Sequence, residues 1–339
     1  MAPIVLCYPT EPRHRDQIAH ALKNAGVNAD LIDAGQDGVA DALLQGPEIF
    51  CGHAKVPVDW ERVAAQGTLR WIQSSAAGLD HCLTPPVVSS DIVVTSASGV
   101  LSNQVAEHTV ALLTALLRSF PVFFRAQQQR EYDRRPTLDL HGSKIAIVGY
   151  GGVGRRVGEV LTPFQTEVSA FDLYPTDPLP GVALRHVDEL DEALPTFDIV
   201  VVCLPLTSRT QGMFHAERLQ KFKHGSLLVN VARGPILVER DLIAVLKRGH
   251  LAAAGLDVAE VEPLPVESEL WDLPNVIITP HVAGQSQTRA SDMTDFFCEN
   301  LRRYYGGQPL LNYVDKQQGF PVRSEQHLQP KRAARAGQL

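Results

Sequence analysis

Residues 143–158 read "SKIAIVGYGGVGRRVG", an apolar run followed by a glycine-rich turn and the start of a helix-like segment. Gly149, Gly151 and Gly154 have the spacing GxGxxG, in which the first glycine permits a tight turn and the second lets backbone approach a pyrophosphate. The third lets helix and strand pack closely, and the helix N-terminus favours the phosphate charge. The stretch predicts a dinucleotide-binding turn, with a merely flexible turn as the alternative.

Asp172 ends the next apolar run, "EVSAFD", eighteen residues after Gly154. A carboxylate at this strand end can bond both ribose hydroxyls of a dinucleotide, and it would repel a 2′-phosphate. We therefore predict NAD rather than NADP as the cofactor. In the alternative interpretation, Asp172 only caps a turn before Tyr174.

Length and composition favour a two-domain protein with a small-molecule ligand. The chain has 339 residues, 45% of them hydrophobic and 20% charged, which suits more than one buried core. A net charge of −7 argues against nucleic-acid and membrane partners, which need a basic face. The five cysteines are widely spaced, without metal-ligand spacing, and the N-terminus does not resemble a signal peptide, so we expect a cytoplasmic protein without a metal.

Short apolar runs alternate with amphipathic segments, a pattern typical of parallel strands with crossover helices. The first series of strands is predicted in "PIVLCY" (3–8), "NADLID" (28–33), "PEIFCG" (47–52), "LRWIQS" (69–74) and "DIVVTS" (91–96). The second is predicted in "SKIAIVG" (143–149), "EVSAFDL" (167–173), "FDIVVVCLP" (197–205), "GSLLVNVA" (225–232), "LAAAGLDV" (251–258) and "NVIITPH" (275–281). One connecting helix is expected from Ser102 to about Gln129.

A further helical stretch at about 285–305 is expected to return to the first series and make the first domain discontinuous. The predicted fold class is α/β, with two doubly wound parallel-sheet domains, a Rossmann dinucleotide-binding domain inserted into a flavodoxin-like substrate-binding domain. The predicted substrate domain comprises 1–99 and 288–315, and the dinucleotide domain 100–287. Residues 316–339 have few apolar residues and are predicted to be a mobile tail.

Three residues of the second series follow predicted strands and suit carbonyl reduction. Arg233 follows the strand in "VNVARGP", Glu262 lies in "DVAEVEPLP", and His281 ends "IITPH". The carboxyl ends of parallel strands meet at one edge of a sheet, so these side chains can converge as anion-binding cation and acid–base pair. Taken singly, each has a structural alternative: a surface ion-pair partner for Arg233, a solvated acid for Glu262 and a helix cap for His281.

The order of motifs resembles that of the D-isomer-specific 2-hydroxyacid dehydrogenase family. The resemblance extends to about residue 315 through "QSSAAGLDH", "NQVAEHTVALLTALLR", "GYGGVG", "LPLTSRTQGMF", "NVARG", "AGLDVAEVEPLP" and "TPHVAG". It implies that Arg233 binds the substrate carboxylate and carbonyl, and that His281, paired with Glu262, is the acid/base. Glu262 would stabilise the imidazolium form of His281.

Further site residues follow from the same resemblance. The backbone amides of Ala77 and Gly78 would hold the substrate carboxylate, although "SSAAG" could equally be a flexible turn. Asp257 would bond the nicotinamide carboxamide, with a buried capping group as its alternative. Where many relatives have a histidine, this chain has Cys203, on the expected adenosine side. The full predicted cofactor-binding set is Gly149, Gly151, Gly152, Val153, Gly154, Asp172, Cys203, Pro205, Thr210, Val231, Ala232, Arg233, Asp257, His281 and Gly284.

The resemblance implies an NAD-dependent oxidoreductase that interconverts a small 2-oxoacid, such as glyoxylate or hydroxypyruvate, with its D-2-hydroxyacid. It also implies a homodimer that forms through the helix from Ser102 to Gln129 and the segment after it. Some proteins similar to the family are NADH-responsive corepressors, so a protein-binding module is the alternative function. His53, His81 and His108 do not recur at metal-ligand spacing, and we interpret them as structural or exposed.

Overall fold

The computed structural model describes residues 2–132 and 134–322, and these form two compact units. Among the described residues, unit 1 comprises 2–100 and 286–322, and unit 2 comprises 101–132 and 134–285. The first boundary differs by one residue from the boundary predicted from sequence, and the second by two residues. Elements are labelled below in chain order across both units.

Unit 1 is built on a five-stranded parallel sheet. Its strands are β1 (Ile4–Cys7), β2 (Leu31–Asp33), β3 (Ile49–Gly52), β4 (Trp71–Ser74) and β5 (Val93–Thr95). Their order, β2-β1-β3-β4-β5, is that of flavodoxin-like sheets, and Ile4 of β1 pairs with Leu31 and Ile49 on its two neighbours. The near-continuous apolar runs arise because a parallel sheet is covered on both faces.

Helices cover both faces of this sheet. They are α1 (Pro12–Asn24), α2 (Gly35–Leu43), α3 (Trp60–Gln66), α4 (Pro85–Ser89) and α11 (Arg289–Gly306). Successive strand residues alternate between two apolar clusters: Ile4 and Leu6 pack with α1 and α11, whereas Val5 and Cys7 pack with α2 and α3. Helix α11 therefore returns to the N-terminal sheet and supplies part of its core, as expected for a discontinuous domain.

A buried polar network joins α11 to the sheet. The side-chain amide of Asn300 donates to Gln73 Oε1 at 2.9 Å, and the Thr95 hydroxyl donates to the same oxygen at 2.8 Å. Trp71 Nε1 in turn donates to Thr95 Oγ1 at 2.8 Å. Because all four side chains are fully buried, each polar group depends on these partners.

The first part of the predicted tail is folded. Strands β13 (Val314–Asp315) and β14 (Phe320–Pro321) pair in an antiparallel ladder, and Lys316 Nζ donates to Val87 O at 3.0 Å and to Ser90 O. The predicted start of a mobile tail at residue 316 is therefore wrong for residues 316–322, because long-range contacts order a segment with little apolar periodicity. Residues 323–339 lie outside the described part of the chain.

Unit 2 contains a seven-stranded parallel sheet. Its strands are β6 (Lys144–Val148), β7 (Glu167–Asp172), β8 (Val182–His186), β9 (Ile199–Val202), β10 (Ser226–Asn230), β11 (Leu251–Leu256) and β12 (Val276–Ile278), in the order β12-β11-β10-β9-β6-β7-β8. The order reverses between β6 and β9, as in dinucleotide-binding sheets. Strand β8 was not predicted from the sequence, because it is an edge strand in which only Val182 is buried.

The helices of unit 2 also lie on both faces. They are α5 (Ser102–Leu117), α6 (Phe120–Gln129), α7 (Gly152–Leu161), α8 (Leu190–Ala193), α9 (Ala216–Gln220) and α10 (Glu239–Lys247). Ile145 and Ile147 of β6 pack in one apolar cluster with residues of α5 and α7, whereas Ala146 and Val148 pack in the other with residues of α8, α9 and α10.

The predicted single helix from Ser102 to Gln129 is wrong: it is two helices that bend by 63° at a break. Ser119 adopts a left-handed φ of 57° at this break, and Pro121, which has no backbone N–H, lies in the first turn of α6. Among the described residues no single helix is long and apolar enough to span a membrane; the bent α5–α6 pair meets that criterion by length and composition only.

Candidate active site

The three glycines of the turn after β6 have different surroundings. Gly149 has a φ of 97°, and a Cβ there would lie 2.7 Å from the carbonyl oxygen of Cys203. A Cβ at Gly154 would lie 2.0 Å from Gly149 O, whereas one at Gly151 would meet no protein atom within 4 Å. The packing of the protein therefore requires glycine at 149 and 154. At Gly151, by contrast, the absence of a side chain leaves open space next to the turn.

Gly151 is also the N-cap of α7, which begins with Gly152 and Val153. Helix α7 has ten residues, and the residue in front of its N-terminus has no side chain. Such a site can accommodate the pyrophosphate of a dinucleotide, whose negative charge the helix N-terminus favours. In a dinucleotide complex the residues of this turn would hold the phosphates.

Asp172, at the end of β7, contacts the same turn. Its Oδ2 accepts a hydrogen bond from Tyr150 N at 2.7 Å, and its Oδ1 accepts one from Tyr174 N at 3.0 Å. The second bond is the turn-capping contact that sequence analysis gave as the alternative. The structure thus places the carboxylate beside the glycine turn, and its bond to a ribose stays a prediction.

Other residues of the predicted cofactor set lie after β9, the strand next to β6. The Cys203 amide donates to Val148 O at 2.8 Å, and burial raises the pKa of its thiol to about 12. The hydroxyl of Thr210 donates to Pro205 O at 2.7 Å and closes the following loop. These residues therefore border the point where the strand order reverses.

Val231, Ala232 and Arg233 follow β10, where Asn230 orders the chain. Asn230 Oδ1 accepts from Ala232 N at 3.0 Å, and Asn230 Nδ2 donates to Arg233 O at 3.1 Å. The guanidinium of Arg233 donates to Ala232 O at 2.8 Å. Asn230 was not singled out from sequence, although an amide side chain within the apolar run "SLLVN" was a usable signal.

Gly234 brings the arginine loop against the loop that carries Glu262. A Cβ at Gly234 would lie 1.7 Å from the carbonyl oxygen of Ala259, so only glycine permits this approach. Ala259 N in turn donates to Glu262 Oε1 at 3.2 Å. The predicted convergence of the loops after β10 and β11 is therefore present in the backbone.

His281 and Glu262 form a direct pair. Nδ1 of His281 lies 2.8 Å from Glu262 Oε2, and the side chains are 45% and 39% exposed. Because Nδ1 faces a carboxylate, it carries a proton in either charge state of the ring, and Nε2 is the atom left to exchange a proton with a substrate. The geometry is that of an acid–base histidine oriented by a carboxylate.

Asp257 organises the turn that carries His281. Its carboxylate is 1% exposed, and it accepts from Val282 N and Ala283 N, both at 2.9 Å. The backbone oxygen of Asp257 accepts from His281 N at 2.7 Å. These bonds hold His281 at a left-handed φ of 53°, which costs a non-glycine residue about 1 kcal/mol. Asp257 therefore makes the hydrogen bonds expected of a buried capping group, and its binding of the carboxamide stays a prediction. Gly284, another residue of the predicted cofactor set, directly follows this turn.

Ala77 and Gly78 lie in unit 1, in the loop after β4. Ser74 Oγ accepts from Ala76 N at 3.1 Å, and Ala97 N donates to Ala76 O at 3.0 Å, so the start of this loop is fixed. The exposed Ala77 and half-buried Gly78 follow at the carboxyl edge of the unit 1 sheet. Their binding of a substrate carboxylate stays a prediction.

Comparisons with known proteins identify the family of this chain. The model of the NAD-binding domain of D-isomer specific 2-hydroxyacid dehydrogenases matches residues 110–283. A glycerate dehydrogenase of Methylorubrum extorquens is 31% identical over 277 residues, which cover 78% of this chain and 85% of that relative.

Two solved structures are similar over 94% of this chain. One is a D-isomer specific 2-hydroxyacid dehydrogenase from Xanthobacter autotrophicus in complex with NADPH and MES, with a TM-score of 0.80, 30% identity and 99% of that chain covered. The other is an NADPH-dependent glyoxylate/hydroxypyruvate reductase from Sinorhizobium meliloti in complex with NADP and sulfate, with a TM-score of 0.78, 27% identity and full coverage of that chain, 100%.

A dinucleotide-type glycine turn and a carboxylate-oriented histidine at one sheet edge define an oxidoreductase site. The chain belongs to the D-isomer specific 2-hydroxyacid dehydrogenase family, as the resemblance of its motifs predicted.

Proposed function

We propose that this protein reduces a small 2-oxoacid to the D-2-hydroxyacid with NADH, and catalyses the reverse oxidation. The observation that carries the proposal is the 2.8 Å pair of His281, which follows β12, and Glu262, which follows β11, on the sheet that also bears the glycine turn. Reduction of a carbonyl requires a proton donor of this kind.

A reduced nicotinamide dinucleotide held at the glycine turn would supply the hydride for the substrate C2. Protonated His281 gives the proton on Nε2 to the carbonyl oxygen, so that one hydride and one proton yield the hydroxyl group. Glu262 stabilises the imidazolium before transfer and holds the ring afterwards. Arg233 supplies a fixed positive charge and a planar set of donors that suits a carboxylate.

Glyoxylate and hydroxypyruvate are the substrates we propose first. The Sinorhizobium meliloti relative is named for both, and the Methylorubrum extorquens relative is named for glycerate, the hydroxyacid that corresponds to hydroxypyruvate. Differences of one methylene change binding by only about 1–3 kcal/mol, so a panel of substrates is needed to rank them.

We further propose a preference for NADH over NADPH. It is supported by the Asp172 carboxylate beside the glycine turn, which would repel a 2′-phosphate. Arg185, the cation of the neighbouring strand β8, is bonded to Glu189, and this bond lowers the pKa of the Glu189 carboxyl. The Xanthobacter autotrophicus and Sinorhizobium meliloti structures described above contain NADPH or NADP, so this preference would distinguish the chain from those two relatives.

We also propose that the protein is a cytoplasmic homodimer with an interface formed by α5 and α6. Helix α6 buries none of its own residues, and it exposes 45% of Phe120 and 58% of Phe124. Apolar rings on one helix favour coverage by another protein surface. Gel filtration that shows a monomer at micromolar concentration would contradict the homodimer.

The decisive experiment measures oxidation of NADH with glyoxylate, hydroxypyruvate, pyruvate and longer 2-oxoacids. We expect turnover with at least one small 2-oxoacid, and a loss of kcat of roughly 10²- to 10⁴-fold in His281→Ala with NADH affinity almost unchanged. Full turnover in His281→Ala would refute the acid–base role. An absence of turnover with every 2-oxoacid would instead favour the protein-binding alternative.

A further inference from the structure

His108 of α5 lies outside the acid–base pair, yet it contacts the residues that shape the turn of His281. Its Nε2 lies 2.9 Å from Thr279 Oγ1 and 3.4 Å from Asp257 Oδ1. The imidazole is 21% exposed and the Asp257 side chain 1% exposed, so the contact with Asp257 is shielded from water. From the sequence alone, this histidine was predicted to be structural or exposed.

The hydrogen-bond directions around Thr279 fix the role of His108. The Thr279 hydroxyl has one proton, which it donates to Asp257 Oδ1 at 2.7 Å. Towards His108 the same hydroxyl oxygen can therefore only accept. It follows that Nε2 of His108 carries a proton and donates it, either as the neutral Nε2–H tautomer or as imidazolium.

Asp257 connects Thr279 to the turn that carries the catalytic histidine. Oδ1, the oxygen that accepts from Thr279, also accepts from Val282 N, and Oδ2 accepts from Ala283 N. These amides directly follow His281, whose left-handed φ of 53° needs such support. A change in the orientation of the carboxylate would therefore move the imidazole relative to its substrate.

We propose that His108 is a positioning residue for the acid–base histidine. Through Nε2–H it orients the Thr279 hydroxyl and the Asp257 carboxylate, and these hold the turn in which His281 delivers its proton. The proposal rests on the proposed function in one respect, since its kinetic consequence requires that the protein reduces a 2-oxoacid.

The kinetic test uses His108→Leu, which removes the donor, and His108→Gln, whose amide nitrogen keeps one. We expect His108→Leu to lower kcat for 2-oxoacid reduction roughly tenfold, because small misplacement of a reacting group costs one to two orders of magnitude. His108→Gln should recover most of that loss. Glu107→Gln is the matched control: it changes an exposed neighbour on the same helix and should leave kcat unchanged.

A double-mutant cycle separates positioning from a general loss of stability. In the His281→Ala background, His108→Leu should cause no further loss of kcat, because the group that it positions is gone. An equal loss in both backgrounds, or full kcat in His108→Leu alone, would overturn the proposal.

A nuclear magnetic resonance measurement on the parent protein tests the proton position on His108 without requiring turnover. Long-range ¹H–¹⁵N spectra should show a proton on Nε2 of His108, with the resonance assigned by its absence in His108→Gln. A neutral Nδ1–H tautomer would overturn the proposal even in an active enzyme. If the parent reduces no 2-oxoacid, the proposed function fails, whereas an Nε2–H signal and a shifted His281 resonance in His108→Leu would still support the positioning role.

Discussion

Gly151→Ala is the substitution that separates cofactor binding from folding most sharply. The backbone of Gly151 is extended, with a φ of −77° and a ψ of −158°, which alanine also adopts, and the new Cβ would meet no protein atom within 4 Å. Alanine is a poorer N-cap than glycine, but it also lowers the conformational entropy of the unfolded chain. Because these two effects oppose each other, we expect the free energy of unfolding to change by less than about 1 kcal/mol. For a chain of this size that corresponds to a shift in Tm of about 2 °C or less.

NADH affinity should respond much more strongly. The added methyl group would occupy the space in front of the α7 N-terminus, where a pyrophosphate would accept charge-assisted hydrogen bonds from backbone amides. Loss of one such bond costs about 2 kcal/mol, which raises Kd roughly 30-fold. Isothermal titration calorimetry with NADH would measure Kd, and differential scanning calorimetry of the same samples would measure Tm.

Two other glycines provide matched controls. Gly38→Ala makes the same chemical change in α2 of unit 1, again with no atom within 4 Å, and it should leave Kd for NADH unchanged. Gly154→Ala would place a Cβ 2.0 Å from Gly149 O, so it should destabilise the fold by about 2 kcal/mol. An unchanged Kd in Gly151→Ala would refute the assignment of this turn to the pyrophosphate.

The remaining predictions concern cofactor choice, the orientation of His281 and stability. Parent kcat/KM should favour NADH over NADPH by at least about tenfold, and Asp172→Ala should reduce this ratio; equal parent values would contradict the assignment. Glu262→Ala should lower kcat for 2-oxoacid reduction by about tenfold or more, because it removes the carboxylate that orients Nδ1 of His281; an unchanged kcat would exclude that role. Asn300→Leu should lower the urea-measured free energy of unfolding by about 2 kcal/mol, since buried polar partners lose their bonds; a change below about 0.5 kcal/mol would contradict this.

Local sequence patterns determined the architecture of this protein. Apolar runs of four to six residues predicted most strands, because a residue in a parallel sheet is buried wherever it lies along the run. The glycine spacing from Gly149 to Gly154 and the strand-end positions of Glu262 and His281 predicted the dinucleotide turn and the acid–base pair. These features depend on backbone conformation and on the rule that parallel strands end at one edge.

Only the tertiary structure decided the features that depend on contacts between distant residues. The break between α5 and α6, the hairpin of β13 and β14 and the edge strand β8 have weak local patterns. Asp257 and His108 could equally have been solvated or structural groups, since their roles depend on partners 25 and 171 positions away, respectively. A hydrogen bond fixes direction as well as distance, and neither is encoded in the spacing of residue types. Folding therefore determines how His281 is oriented, whereas the sequence alone indicates only that a histidine ends that strand.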